Sequence, residues 1–313
     1  MEFKSFCEQI VSYMSEKYPE SKVSISEISK NNGVTYNCLN VNTPGTKISE
    51  VIYLEPMYEA FKDGASFLDI INRVEIARLG SKDKNFDVDY FKDYDKVRDR
   101  IMVKLINYDK NLTILSGMPH RKLMDLAITY FCCVGDKISE GVIMIKNEHV
   151  DMWNIKEEDL YEAACTNAIK KNDYELLPLM NVVNNSLGIS QEEGDFEDSL
   201  EEDNLSFLKI LTNNDRTYGA ATLVSPGLLC ALSHKYDSNF YILPSSVHEL
   251  ILMIDDDDKF DKDKAAELYD MVRYVNMTEV ETEDVLSDNV YYYDRAKDEV
   301  FEYYEIALKT GLA

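Results

Sequence analysis

FYILPSSVHELILMI, residues 240–254, holds two apolar runs, FYIL and ELILMI, separated by the polar interruption that begins at Pro244. Runs of this length, rich in β-branched and aromatic residues and bounded by turn formers, predict two neighbouring strands. Upstream lie LSFLKILTN from residue 205, a turn at NNDRTYG, AATLV, and a helical pattern over 226–235. Downstream, apolar residues recur at helical spacing across 263–277, and SDNVYYYD offers a further strand at Val290 to Tyr293. The resulting order is strand, strand, helix, strand, strand, helix. That order predicts an α+β fold of antiparallel strands with helices packed on one face.

The preceding sequence follows the same logic. Phe3, Phe6, Ile10, Tyr13 and Met14 form one stripe of a helix ending before Pro19. KVSIS and VTYNCLNV flank Asn32-Gly33, a pair that tolerates positive φ, and predict a hairpin. VIYLEP reads as a strand leading into a helix that stops at Gly64, and Ser66 with Asp69 forms a capping box for a helix ending at Gly80. IMVKLIN predicts a strand, and LMDLAITYFCCV with GVIMIK a strand pair across a loop. Asn154 is expected to cap the helix NIKEEDLYEAACTNAIK. Between Ser186 and Leu205 the chain carries eight acidic residues and no basic one, which marks a solvated linker. The expected organisation is an α+β module over 1–190, an acidic linker over 191–204 and an acidic α+β module over 205–313.

Charge is the most informative compositional fact. The 313 residues sum to −25, and residues 1–150 hold 20 Lys+Arg against 22 Asp+Glu, whereas 151–313 hold 13 against 36. Such a surface repels phosphate, so direct nucleic-acid binding and anionic membranes are excluded as partners. Six cysteines without a C-x-x-C pair read as reduced thiols. The amino terminus carries Glu2, Glu8 and Glu16 and fails as a signal peptide. The longest apolar stretch, Leu126 to Val134, is about half the ~18 residues that a spanning helix needs. The expected compartment is the cytoplasm.

No G-x-G-x-x-G or G-x-x-x-x-G-K-[ST] motif is present, so no nucleotide cofactor is expected. The polar interruption supplies Ser245, Ser246, His248 and Glu249 as candidate catalytic groups. On extended backbone Ser246 and His248 share a face and Glu249 points away, so a Ser–His pair would need its acid from elsewhere. The plainer reading is that these residues satisfy a turn and the strand edges. A calcium loop begun at Asp256 would use Asp256, Asp258 and Glu267, but Phe260 falls where an oxygen is needed and Asp261 replaces the turn glycine. No metal is therefore expected. His120 with Arg121 and Lys122 forms a small basic cluster, and His149 with Trp153 precedes a helix.

PHRKLMDLAITY, NEHVDMWNIKEEDLYEAACTNA, LTNNDRTYGAA, FYILPSSVHELILM and MVRYVNMTEVETEDVLSDNVYYYD occur in this order over nearly the whole chain. Together they resemble a domain-of-unknown-function family of anaerobic, gut-dwelling relatives of the clostridia. The resemblance implies a cytoplasmic bacterial protein, with carriage on mobile elements, and implies no activity. The expected function is a non-enzymatic interaction protein that binds a basic protein partner through its acidic half, as a nucleic-acid mimic or inhibitor. Glu201, Glu202, Asp203, Asp255, Asp256, Asp257 and Asp258 are the carboxylates expected to face that partner. The alternative is a hydrolase or small-ligand sensor built on Ser246 and His248.

Overall fold

The computed structural model describes residues 1–44, 50–81, 88–135, 137–138, 141–179, 207–255 and 260–303. The chain divides into two compact units, Met1–Lys92 and Asp93–Ala313.

In the first unit, helix α1 (Phe3–Lys17) buries Phe6, Ile10 and Met14 of the expected stripe, with Phe3 and Tyr13 partly buried beside them and Cys7 buried as well. Strands β1 (Lys22–Ser29) and β2 (Thr35–Asn42) form the expected hairpin. Asn32 and Gly33 take φ of 57° and 74° at its turn, the region that these two residue types enter at least cost. Strand β3 (Glu50–Tyr53) adds to β2, giving the order β1-β2-β3. Helices α2 (Glu55–Lys62) and α3 (Phe67–Ser81) follow. The Ser66–Asp69 capping box forms: Asp69 Oδ2 accepts from the Ser66 amide at 3.1 Å and the Ser66 hydroxyl at 2.6 Å, and Ser66 Oγ accepts from the Asp69 amide at 3.2 Å. Leu39, Val41, Ile52, Leu54, Ile70, Ile71 and Val74 close one core with the α1 stripe.

The second unit contains two antiparallel sheets. Strands β4 (Ile101–Asn107) and β6 (Leu126–Cys133) pair along their length, while β5 (His120–Leu123) and β7 (Val142–Met144) lie end to end on the other edge of β6. Every residue of β6 is buried, so both of its faces are covered and Cys132 and Cys133 are enclosed on opposite sides. Helices α4 (Asn147–Trp153) and α5 (Glu157–Lys171) come next. Asn154 sits in the left-handed region at the end of α4 (φ 52°), so it terminates that helix and does not start α5. The α5 start belongs to Lys156, whose amide donates to Asp159 Oδ2 at 2.8 Å.

The larger sheet combines β8 (Glu175–Pro178), β9 (Leu208–Thr212), β10 (Asn239–Leu243), β11 (Leu250–Asp255), β12 (Tyr291–Asp294) and β13 (Glu299–Glu302) in the order β13-β12-β10-β11-β9-β8. Helix α6 (Leu228–Tyr236) precedes β10, and helix α7 (Lys262–Thr278) packs Ala265, Leu268 and Val272 on Tyr241, Leu243, Met253 and Tyr292. These contacts make the α+β assignment concrete. AATLV, expected as a strand, belongs to a 3-10 helix over Gly219–Val224, where Gly219 is pressed against the backbone of Asn213 and His248. The acidic linker over 191–204 lies outside the described residues. The strands on its two sides, β8 and β9, pair directly, and the division between the compact units falls at Lys92 and Asp93. All six cysteines are free thiols. Among the described residues no helix is long and apolar enough to cross a membrane.

Candidate functional site

The polar interruption between β10 and β11 is held from both sides. Val247 N donates to Asp284 O at 2.8 Å and Leu286 N to Ser245 O at 3.0 Å, so residues 245–247 run beside 284–286. Ser245 and Ser246 are buried. The Ser246 hydroxyl oxygen accepts the backbone N–H of His248 at 3.0 Å, a local turn bond of the kind serine favours. The imidazole lies elsewhere. Its Nδ1 accepts the Tyr218 backbone N–H at 3.3 Å, which assigns the ring proton to Nε2, and Nε2 donates to Asp284 Oδ1 at 3.2 Å. Ser246 and His248 are therefore neighbours whose side chains do not bond each other, and the acid that meets His248 is Asp284.

The second wall is the turn NNDRTYG. Asn213 clamps it by accepting the Thr217 amide at 3.1 Å and donating to the Thr217 carbonyl at 2.8 Å. Arg216 and Tyr218 both take positive φ, 48° and 57°. That conformation lays the Tyr218 ring parallel to His248, with centroids 5.8 Å apart and planes 14° off parallel. Lys104 Nζ sits 4.2 Å from the centre of the same ring, a cation–π contact. Thr212 Oγ1 donates to the His248 carbonyl at 2.8 Å. Burial pushes the Glu249 carboxyl up; the neighbouring His248 opposes that shift and Asp284 adds to it. The arrangement positions and stacks groups, and Ser246 Oγ is already occupied by the amide beside it. Tyr218, Asp284, Thr212 and Lys104 were not singled out from sequence. The turn expected at NNDRTYG is the local signal nearest to Tyr218, and it did not mark that residue.

Of the seven carboxylates expected to face a partner, Asp255 alone is among the described residues. Asp256, Asp257, Asp258, Glu201, Glu202 and Asp203 lie outside the described residues. Asp255 does not face solvent: its side chain is 1 % exposed, pairs with Lys264 Nζ at 3.0 Å and accepts from the Tyr292 hydroxyl at 2.9 Å. A buried carboxylate must be paired and hydrogen-bonded, so Asp255 belongs to the fold and is unavailable to a partner. Glu267 is exposed on α7, and among the described residues no group of His, Cys, Asp and Glu could hold a metal ion. The basic cluster is also internally matched. Arg121 pairs with Glu157 at 2.9 Å, Lys122 lies 4.4 Å from the Tyr108 ring, and His120 Nδ1 bonds Met118 O at 2.8 Å.

The outer face of α7 is the exposed feature that stands out. Its inner face buries Ala265, Leu268, Val272 and Asn276. Opposite them, Asp263, Glu267, Asp270, Tyr274 and Met277 follow spacings of four and three along one ridge, with Met271 beside them. Met271, Tyr274 and Met277 are 55 %, 68 % and 81 % exposed. Among the described residues Asp263, Glu267 and Asp270 have no ion-pair partner. The ridge thus runs from three uncompensated carboxylates to three bare apolar side chains.

No curated protein matches the chain, and no solved structure does. The model of a family of unknown function, DUF5688, matches residues 3–295, and the chain belongs to that family.

Proposed function

We propose that this is a non-enzymatic, cytoplasmic interaction protein that binds a basic protein partner through its acidic second unit, with the outer ridge of α7 as the contact face. The single observation behind the reading is that ridge. Three large apolar side chains on a helix whose opposite face already fills the core have no role in holding the fold. Contiguous exposed apolar groups of this kind mark surfaces that another molecule covers. Met and Tyr are favoured interface residues, and the adjoining carboxylates select a partner carrying Lys or Arg. Residues 93–313 hold 44 Asp+Glu against 22 Lys+Arg, so the field around the ridge attracts cations. The matching partner is an amphipathic basic helix with its charges at one end and apolar anchors at the other. A partner whose basic surface ordinarily faces phosphate meets carboxylates here instead, which is the mimicry reading. The hydrolase alternative has less support, because Ser246 Oγ takes the His248 amide and the imidazole turns to Asp284.

The test uses two fluorescent helical peptides of identical composition. One carries lysines at positions i, i+4 and i+7 followed by leucines on the same stripe, and the other is scrambled. Anisotropy is read at low and high salt. The patterned peptide is expected to bind at least tenfold more tightly than the scrambled one and to weaken as salt shortens the Debye length to about 10 Å and below. Both D263N/E267Q/D270N and M271Q/Y274Q/M277Q are expected to lose that preference. Equal binding of the two peptides, or a preference that survives both variants, overturns the reading.

A further inference from the structure

His248 holds the NNDRTYG turn through a bond that one of its two charge states cannot make. In the neutral ring Nδ1 accepts the Tyr218 backbone N–H at 3.3 Å, while Nε2–H donates to Asp284 Oδ1 at 3.2 Å. An imidazolium carries a proton on both nitrogens and accepts at neither. Its Nε2–H keeps Asp284 and makes a charge-assisted bond there. Its Nδ1–H meets the Tyr218 N–H donor against donor, and that bond is lost. The neutral ring thus grips both walls of the site, and the charged ring grips one.

The surroundings make both states accessible. The His248 and Asp284 side chains are 30 % and 34 % exposed, so solvent reaches the pair. Asp284, from the segment after α7, supplies a counter-charge to the imidazolium. The other titratable and charged groups around the ring are Glu249, Tyr218 and Lys104. Glu249 is next in the chain, and its carboxyl interacts electrostatically with both His248 and Asp284. The Tyr218 ring is stacked on the imidazole, and Lys104 of β4 lies 4.2 Å from the centre of that ring. The two charged residues of the turn itself are directed elsewhere: Asp215 Oδ2 accepts the Ile138 amide at 2.6 Å, and Arg216 pairs with Glu175 at 3.1 Å.

Those last contacts show what the turn connects. Ile138 follows β6, and Phe131 of β6 packs edge-on against Tyr218 with centroids 5.5 Å apart, so the turn touches the smaller sheet. Through Glu175 of β8 and His248 before β11 it also touches the larger one. Asn213 holds the turn's own shape by bonding both the amide and the carbonyl of Thr217. A change of charge at His248 therefore acts on the attachment of the turn and leaves its internal bonds in place.

We infer that His248 is a pH-operated latch: the neutral imidazole fastens the 213–218 turn to the segment before β11, and the imidazolium releases Tyr218 while staying on Asp284. The inference does not rest on the α7 ridge.

Hydrogen exchange of the Tyr218 amide reads the latch directly. Full-length ¹⁵N-labelled protein is followed from pH 8 to pH 5, about the range over which imidazole charges, with each rate corrected for intrinsic exchange. Protection of the Tyr218 amide is expected to fall at least tenfold, in step with the ring ¹⁵N signals of His248, while the Thr217 amide, held by Asn213, keeps its protection. The ring signals, assigned through the contact with the Tyr218 ring, are expected to place the proton on Nε2 at pH 8. H248Q is neutral throughout and is expected to abolish the step, whereas E249Q is expected to retain it. Flat Tyr218 protection in the wild type, a ring proton on Nδ1 at pH 8, a step whose midpoint departs from the His248 titration, or an unchanged step in H248Q overturns the inference. The first three outcomes need no variant, so the test stands even if H248Q fails to fold.

Discussion

Gly219 and His248 pack backbone against backbone: a Cβ at residue 219 would stand 2.5 Å from the His248 carbonyl oxygen, and 2.7 Å from Asn213 N. Neither atom can rotate aside, because both are main chain. This close approach is what brings Tyr218 onto the imidazole and lets Thr212 bond the same carbonyl.

Gly219→Ala is therefore expected to destabilise the protein by about 1–3 kcal/mol, the usual cost of forcing extra volume into packed structure. Gly117→Ala is the control, since the nearest atom to a Cβ there is Ile114 O at 3.7 Å. Its effect should stay within about 0.5 kcal/mol. Urea unfolding of the two variants decides the matter, and a neutral G219A would show that the 212–219 turn shifts freely.

The elements that were readable from sequence are those set by local rules. The Phe6–Ile10–Met14 stripe, the Asn32-Gly33 turn and the Ser66–Asp69 box each depend on residues a few positions apart, and all three formed as read. Features decided at long range were not readable. Asp255 sits in an acidic run that looks solvated, yet it is drawn inside by Lys264 and by Tyr292, 37 positions away. His248 finds its acid in Asp284, 36 positions on, across a segment with no motif. Asn154 fits a helix start by composition, but the preceding helix ends on it because asparagine tolerates the left-handed region. The α7 ridge was legible only as a helix. Which of its faces the sheet would claim depended on the strands that pack against it.

A polar network ties β12 to the segment before β6. Asp125 accepts from the Tyr291 hydroxyl, from Ser287 Oγ at 2.6 Å and from Asn289 Nδ2 at 2.9 Å. Tyr291 is fully buried, and burial together with the Asp125 carboxylate pushes its phenol well up. Tyr291→Phe is expected to cost about 1–3 kcal/mol, since it deprives a carboxylate oxygen of its donor. The double variant Y291F/D125N should cost less than the sum of the single ones by at least about 0.5 kcal/mol, as expected of groups in direct contact. Strict additivity in a denaturant cycle would mean that the two residues act separately.

Glu249 gives a prediction with a definite sign. Burial raises its carboxyl in the folded state, so the native protein holds that proton more tightly than the unfolded chain does. The associated stability is complete below the unfolded glutamate value of about 4.3 and is lost as pH rises through the folded value. Above the unfolded value the carboxyl is therefore accommodated less well in the folded protein than in the unfolded chain. Glu249→Gln is thus expected to be more stable than the wild type at pH 7, with the advantage shrinking as pH falls toward about 4. Unfolding midpoints across that range test it, and a pH-independent difference, or one of opposite sign, refutes the assignment.

The two faces of α7 should answer to substitution in opposite ways. Leu268 and Val272 are 6 % and 3 % exposed and pack on Tyr241 and Tyr292. Leu268→Ala is expected to cost about 2–5 kcal/mol through lost contacts and the cavity left behind. Met277 and Tyr274 point the other way and contribute nothing to that core. M271Q/Y274Q/M277Q keeps the helix propensity of the ridge close to its original value and should move the unfolding free energy by no more than about 1 kcal/mol. Comparison of the two variants by urea unfolding separates a face that builds the fold from a face left open for a partner. If the triple variant unfolds as readily as Leu268→Ala, the outer ridge is structural and the proposed contact face is lost with it.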